Sequence, residues 1–369
     1  LKIERVILTN YKSIHELDLT FNQINIMVGG NGAGKGNLIS YFKLLYSIAN
    51  KQLGVHTARN GNPDAFLYHG SKKSPSLSSK ITFVNGRYRN AYAFELEPTT
   101  KGLFFFKKEE IGFDKGIADW TTRDIGSGNS ETNLFSYNKT DFGLTSPTGI
   151  SDYIIEAFKG LRLYHFHDTS QSAKVKQAGP INDNRELRED ASNLAAFLYK
   201  LKERHPDNYR QIERTIKRIA PFFQEFTLKP SELNSDTIRL EWVEKGSDNY
   251  FDASSLSDGT LRMMCLVTLL LQPNPPETII IDEPELGLHP TAIHLLASII
   301  KSVSQRVQLI ISTQSVTLVN QFSPEDLIIV ERADGQSVFH RLDSDSLTSW
   351  LDDYALGELW EKNVIGGRP

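Results

Sequence analysis

The strongest constraint on the fold is the run "INIMVGGNGAGKGNLISYFKLLYSIANKQL", residues 24–53. Its first five residues read as a short buried strand that runs straight into a glycine-rich turn. Beyond the turn, Leu38, Ile39, Phe42, Leu45 and Ile48 recur at the spacing of one helix face. A strand, a glycine loop and a helix in that order aim successive backbone N–H groups and a helix N-terminus at one point, and Lys35 adds a full positive charge there. Such a turn cradles phosphate. The full pattern is Gly, four residues, Gly, Lys, then Ser or Thr. Gly29, Gly34 and Lys35 are in register, whereas Gly36 stands where the hydroxyl belongs. Phosphate binding through the backbone and Lys35 is expected to survive, but one direct magnesium ligand is lost to water. Asn31, Gly32, Ala33 and Asn37 complete the candidate nucleotide-binding loop.

The flanking sequence suggests how the rest is arranged. "KIERVILTNYKSI" alternates like an edge strand followed by a turn. From about Gly54 to Pro147, runs such as "KITFV" and "AYAFELE" between Asn-Gly and glycine-rich turns predict an antiparallel β insertion, with mobile polar stretches around "DIGSGNSETN". Two amphipathic segments, "SNLAAFLYKLKERH" and "NYRQIERTIKRIAPFF", break near His205-Pro206-Asp207 and predict a short helical lobe. Neither sustains the heptads of a long coiled coil. In the last third, "ETIIIDEPE", "VQLIISTQS" and "DLIIVER" read as buried strands, the first two separated by a helix through "PTAIHLLASIIKSV". Alternating strands and helices predict a mainly parallel sheet, hence an α/β fold. The expected division is residues 1–165, 166–229 and 230–369.

Composition narrows the function classes. With 23% charged and 39% hydrophobic residues and a net charge of -4, the 369 residues are ordinary for a folded chain and carry no overall basic field. Nucleic-acid contact is therefore left to a local patch. Arg210, Arg214, Lys217 and Arg218 form one such stripe at helical spacing, although with Glu213 and Asp207 close in sequence a solvated helix face is the preferred reading. The single Cys265 excludes an intramolecular disulfide framework or a multi-cysteine metal cage and suits a reducing cytoplasm. Neither a signal peptide nor a membrane-spanning segment is expected.

The chemistry concentrates in the second half. Asp282 and Glu283 follow a buried strand at its C-terminal end, where the first acid suits magnesium and the second suits the attacking water. Gln314 ends the next expected strand. "YHFHDTSQ" presents His165, His167 and Asp168: a transition-metal chelate, a magnesium-sensing loop and plain structural polarity are all compatible with it.

The order of these pieces carries a resemblance. Leu256-Ser257-Asp258-Gly259-Thr260 resembles the Leu-Ser-Gly-Gly-Gln signature of ABC-type ATPases, with "IIIDEPE" following and the glycine loop far ahead. The "NYKSI" opening and "DEPELGLHP" are similar to the RecF/SMC-like group. More narrowly, with the closing "WLDDYALGELWEKNVIGGRP", the chain resembles the ATPases of Septu-type anti-phage systems, related to the ATPase part of overcoming-lysogenisation proteins. The resemblance implies an ABC-type head with ATP and Mg2+ as cofactors. It also implies a dimer sandwiching two nucleotides, in which Ser257, Asp258 and Gly259 cap the partner's triphosphate and Leu286 to His289 lie at the seam. Asp282 then takes the metal role, Glu283 and Gln314 the catalytic ones, and Lys12 and Ser13 approach the nucleotide. His167 or Asp168 stands in for the glutamine that senses metal and γ-phosphate. A nucleotide-driven switch in a cytoplasmic defence complex is the expected function, with an effector nuclease or toxin as partner. A hydrolysis-impaired scaffold holding that effector is the alternative, on account of Gly36. The tail after about Arg341 is too short for a Toprim nuclease domain.

Overall fold

The computed structural model describes residues 1–136, 149–342, 347 and 350–368. The end of the expected insertion, and Pro369 of the tail, lie outside the described residues. In chain order come β1 (Lys2–Tyr11), β2 (Ile14–Thr20), β3 (Ile24–Val28), α1 (Lys35–Ala49), α2 (Leu53–Arg59), β4 (Leu77–Asn85), β5 (Tyr88–Pro98), β6 (Phe104–Asp114), β7 (Trp120–Gly126), α3 (Ile150–Gly160) and β8 (Leu161–Tyr164). Next are β9 (Gly179–Pro180), α4 (Leu194–Arg204), α5 (Pro206–Ile219), β10 (Phe223–Phe226), β11 (Thr237–Ile238), β12 (Glu241–Glu244), β13 (Tyr250–Asp252) and α6 (Asp258–Leu271). The chain closes with β14 (Thr278–Asp282), α7 (Pro290–Val303), β15 (Gln308–Thr313), α8 (Val316–Val319), β16 (Leu327–Ala333), β17 (Gln336–Arg341) and a helix at Leu356–Glu361. Two compact units result: Leu1–Leu163 with Glu277–Ile280 and Ser323–Pro369, and Tyr164–Pro276 with Ile281–Phe322.

The first unit contains a six-stranded antiparallel sheet in the order β2-β1-β4-β5-β6-β7. Here one expectation is corrected: β1 is an inner strand, paired with β2 through Val6↔Leu19 and with β4 through Val6↔Ile81. Its alternation reflects one buried face, which an inner antiparallel strand shares with an edge strand. The insertion therefore extends the N-terminal hairpin into a single larger sheet. Gly86, at φ +60, makes the tight β4–β5 connection that the Asn-Gly pair predicts. Part of the polar stretch after β7 is pinned and not merely solvated: the buried Glu109 carboxyl accepts from the Tyr92 hydroxyl (2.6 Å), the Thr132 hydroxyl and the Asn133 amide (2.9 Å). Burial raises the pKa of that carboxyl above its ordinary range.

All five residues of β3 are buried. It pairs in parallel with β16, Met27 opposite Ile328, and β16 pairs antiparallel with β17, a strand that the sequence reading did not anticipate. In α1 the five residues expected on one face are buried together. The tail returns to the same unit: Trp360 is fully buried, its indole N–H donates to Gly367 O at 2.6 Å, and the Gly367 amide donates to Glu331 Oε2 at 3.3 Å.

The second unit holds the helical lobe and the last acidic strand end. α4 stops at Arg204 and α5 starts at Pro206, because His205 takes a non-helical conformation and proline is well accommodated in a first helical turn. Tyr209, Ile212 and Ile216 form the buried stripe of α5, while Arg210, Arg214, Lys217 and Arg218 are exposed. Arg210 pairs with Asp207, which supports the solvated-face reading. α6 is buried along most of its length, and burial pushes the Cys265 thiol up to about 12, so it is an inert core residue. Small sheets β10-β12-β13 and β9-β11 complete this unit. Among the described residues no helix is long and apolar enough to cross a membrane. The whole is an α/β architecture with mixed sheets, and its longest described helix is the 15-residue α1.

The packing of the tail is directly measurable. Trp360→Ala is expected to lower unfolding free energy by about 3–5 kcal/mol, the cost of emptying a buried indole site. Urea denaturation followed by circular dichroism checks it, and an unchanged midpoint would mean that the tail is not part of the core.

Candidate functional site

Two groups of candidate residues emerge, one in each unit. In the first unit, β3 ends against β16 so closely that a side chain at Gly29 would place its Cβ 2.1 Å from Val330 O. Glycine is therefore required where the loop leaves the strand. Gly32 has φ +77 and Gly34 φ +124, and a Cβ on Gly34 would meet Ser337 Oγ at 2.1 Å. The turn then feeds α1 at Lys35, with Gly34 at the N-cap. Ala33 and Asn37 donate backbone N–H groups to Gly30 O and Gly34 O. The amides of Gly32, Gly34 and Gly36 have no acceptor among the described residues. Three free donors at a helix N-terminus fit a phosphate group.

The buried Lys35 curls over this loop, its ammonium 2.5 Å from Gly29 O and 3.2 Å from Gly30 O. Around it, Asn37 donates to Ser13 Oγ at 2.6 Å, and Ser13 Oγ lies 2.6 Å from Ser337 Oγ. Lys12 sits in the left-handed region at φ +51 with its ammonium above the Tyr11 and Phe66 rings, 5.7 and 5.6 Å from their centroids. Desolvation, and then repulsion from Lys43, lower its pKa. Asn31 is exposed and Ala33 buried. Gly36 differs from Gly29, Gly32 and Gly34 in needing neither a positive φ nor a close approach, since a Cβ there meets nothing within 4 Å among the described residues. The loop thus accommodates a serine as readily as the glycine it has.

In the second unit the acidic strand end is highly structured. Asp282 Oδ1 accepts from the Ser312 hydroxyl. Glu283 is at φ +44, a left-handed conformation that costs a non-glycine residue about 1–3 kcal/mol. Its carboxylate accepts the Gln314 amide at 2.5 Å, and its own N–H donates to Ser312 O at 3.0 Å. Glu283 and Gln314 are therefore one hydrogen-bonded pair. Glu285, which sequence reasoning passed over, accepts from the Thr313 hydroxyl (2.6 Å) and the Gln314 N–H (3.1 Å). Burial raises its pKa, and among the described residues its second oxygen is buried without a partner.

Ser257 caps α6, its hydroxyl accepting the Thr260 N–H at 3.2 Å, and Asp258 lies exposed in the first turn with Lys176 3.8 Å away. At Gly259 a Cβ would lie 2.3 Å from Gly287 O, so the signature turn and the "ELGLHP" loop are in main-chain contact. Arg262 secures that junction by donating to Leu286 O (2.9 Å), Phe166 O (3.0 Å) and His167 O (2.9 Å). No sequence signal marks Arg262, because its partners are carbonyls of distant residues. His167 Nε2 is 3.0 Å from Asp282 O, beside the acidic pair. Asp168, by contrast, is exposed and accepts from Ser170, which lowers its pKa. Among the described residues no group of three or more His, Cys, Asp and Glu side chains is arranged to hold a metal ion, so His165, His167 and Asp168 do not make a zinc cluster.

The glycine contacts make a steric test. Gly29→Ala and Gly259→Ala each force a side chain into a main-chain oxygen and are expected to cost about 1–3 kcal/mol, whereas Gly36→Ser leaves stability within about 0.5 kcal/mol of the parent. Thermal melts of the three variants separate the cases. Equal midpoints for all three would contradict the close approaches.

The fold matches solved structures of SMC head domains. An SMC head bound to the C-terminal winged-helix domain of ScpA aligns with a TM-score of 0.62 at 16% identity, over 95% of this chain and 100% of that one. An SMC head with an extended coiled coil, bound to the C-terminal domain of ScpA derived from Pyrococcus furiosus, aligns with a TM-score of 0.57 at 15% identity, over 95% and 99%. At such identities the likeness is one of fold. No curated protein matches the chain significantly. The family model described as "AAA domain, putative AbiEii toxin, Type IV TA system" spans residues 24–320, from the strand before the glycine loop past Gln314, and the chain belongs to that AAA-domain family.

Proposed function

We propose that this protein is an ATP-binding, ATP-hydrolysing switch of the ABC type, in which nucleotide pairs two copies and the paired state controls an effector. The observation that carries the reading is the glycine loop, with three unsatisfied amides and Lys35 at the start of α1. In this reading Gly29 to Asn37, with Lys12 and Ser13, hold the triphosphate. Asp282 holds Mg2+, which supplies charge neutralisation on the phosphate oxygens when bound. Glu283 accepts the proton of the attacking water and Gln314 fixes the direction of its carboxylate. His167 reports on this centre through the Asp282 carbonyl, with Asp168 at its margin. Ser257, Asp258 and Gly259 cap the nucleotide of the second copy, which makes a single copy incomplete. The segments 1–165, 166–229 and 230–369 are the working divisions of this proposal.

The family description names an AbiEii toxin and a Type IV TA system, which supports a chain that works with a second protein. A cytoplasmic anti-phage complex with a nuclease or toxin effector is the setting we infer. Nucleic acid, if it is contacted, meets the exposed side of α5. Gly36 favours a second reading, a scaffold that binds ATP, turns it over poorly and thereby keeps its effector inactive.

Phosphate release at saturating Mg2+ and ATP distinguishes the two. Under the switch reading the parent turns over, Gly36→Ser raises the rate about tenfold by restoring a metal ligand, and Glu283→Gln lowers it by about 10²–10⁴. A parent that binds ATP with no turnover selects the scaffold, and equal rates for parent and Glu283→Gln would contradict the assigned base. Light scattering is expected to show Glu283→Gln doubling in mass when ATP is added; a mass independent of nucleotide would sink the dimer switch.

A further inference from the structure

A second built site lies in the first unit, in residues unrelated to the glycine loop. Tyr88 and Asn90 alternate on β5 and so share a face. Asn90 stands directly opposite Phe113 on β6. α3 covers the same sheet, with Phe158 against Phe83 and Tyr92 at centroid distances of 5.6 and 5.5 Å. Between the strand ends and the first turns of α3 is a cavity of about 380 Å³, lined by Tyr88, Asn90, Phe113, Tyr153, Arg87 and Lys115 among others. That volume is in the range of small-molecule sites, roughly 300–1,000 Å³.

Three features indicate its ligand. Asn90 is 5% exposed, its Oδ1 is buried without a partner, and neither end of its carboxamide is hydrogen-bonded among the described residues. A buried amide is normally satisfied, and this one offers an acceptor beside a donor, the edge that complements a nucleobase. Tyr88 and Phe113 lie nearly parallel, 6.0 Å apart with 18° between planes, and the Arg87 guanidinium lies over the Tyr88 ring, 5.0 Å from its centroid, with an N–H donating to the Tyr88 hydroxyl at 2.9 Å, so the cavity is bordered by a planar guanidinium–ring pair of the kind on which bases stack. Among the described residues the lining carries the two cations Arg87 and Lys115 and no acidic side chain. Asp152 already caps the start of α3 by accepting the Gly149 N–H at 3.0 Å, so the cations and not the helix terminus are the anion's partners.

We propose that this cavity binds a nucleoside monophosphate, with the base edge on the Asn90 carboxamide, the base face against the Arg87–Tyr88 pair and the phosphate beside Lys115 and the remaining N–H groups of Arg87. The site is independent of whatever nucleotide the glycine loop takes.

Equilibrium dialysis of the full chain with AMP tests it, against ribose 5-phosphate and a short single-stranded oligonucleotide. AMP is expected to bind, with Asn90→Ala and Lys115→Ala each weakening it about tenfold, Lys35→Ala leaving it unchanged and ribose 5-phosphate binding at least tenfold more weakly. Because the Asn90 side chain makes no hydrogen bond among the described residues, Asn90→Ala is expected to melt no lower than the parent, and Lys115 is exposed, so at least one folded variant is available. No AMP binding, or AMP binding lost with Lys35→Ala and kept in the cavity variants, would overturn the proposal. Ribose 5-phosphate binding as tightly as AMP would reduce the cavity to an anion trap and also overturn it. Tighter binding of the oligonucleotide than of AMP would assign the pocket to a strand's base and reject the free nucleotide.

Discussion

The close approach of main chain to main chain at glycine is the constraint on which both candidate groups depend. Parallel pairing of β3 with β16 brings Val330 O to where a side chain on residue 29 would be. The loop can leave the strand there only as glycine, and its later turns need the positive φ of Gly32 and Gly34. The amides of Gly32, Gly34 and Gly36 are thereby left without an acceptor among the described residues at the head of α1. In the other unit Gly259 against Gly287 O performs the same office for the signature turn.

What the backbone sets, a few polar side chains hold. Ser13, Asn37 and Ser337 form a short hydrogen-bonded chain beside the glycine loop. Arg262 binds three carbonyls around the signature, and Glu285 fixes the backbone N–H of Gln314 while Gln314 holds Glu283. The left-handed backbone of Glu283 is tolerated because its amide, its carboxylate and its neighbour Ser312 are all committed to specific partners. Strain that is so thoroughly over-determined is typical of a place where a carboxylate must point one way.

Much of this was legible in the residues alone. The strand, glycine loop and helix carry their own periodicity, and Asp282 and Glu283 are placed by the buried run before them. The helix break at Pro206 and the extent of α7 follow from local signals. Long-range pairing was less visible. That β1 is an inner strand depends on β4, more than sixty residues later, and alternation along β1 is the same in either position. β17 was missed because "QSVFHR" is short and its pairing with β16 is what makes it a strand. Arg262, Ser312 and Glu285 were missed for a related reason: their importance lies in whom they touch, and their partners are distant carbonyls, amides or a strand end. The basic stripe on α5 was legible as an exposed stripe, but period alone does not distinguish a phosphate track from a solvated face.

The central claim is that the loop before α1 grips a triphosphate through its amides and Lys35. Its most direct test is the affinity of the full chain for ATP with Mg2+, measured by titration calorimetry beside Lys35→Ala. A loss of tenfold or more in the variant, about 1.4 kcal/mol, is the result required; equal affinities would show that the loop is not where the nucleotide binds.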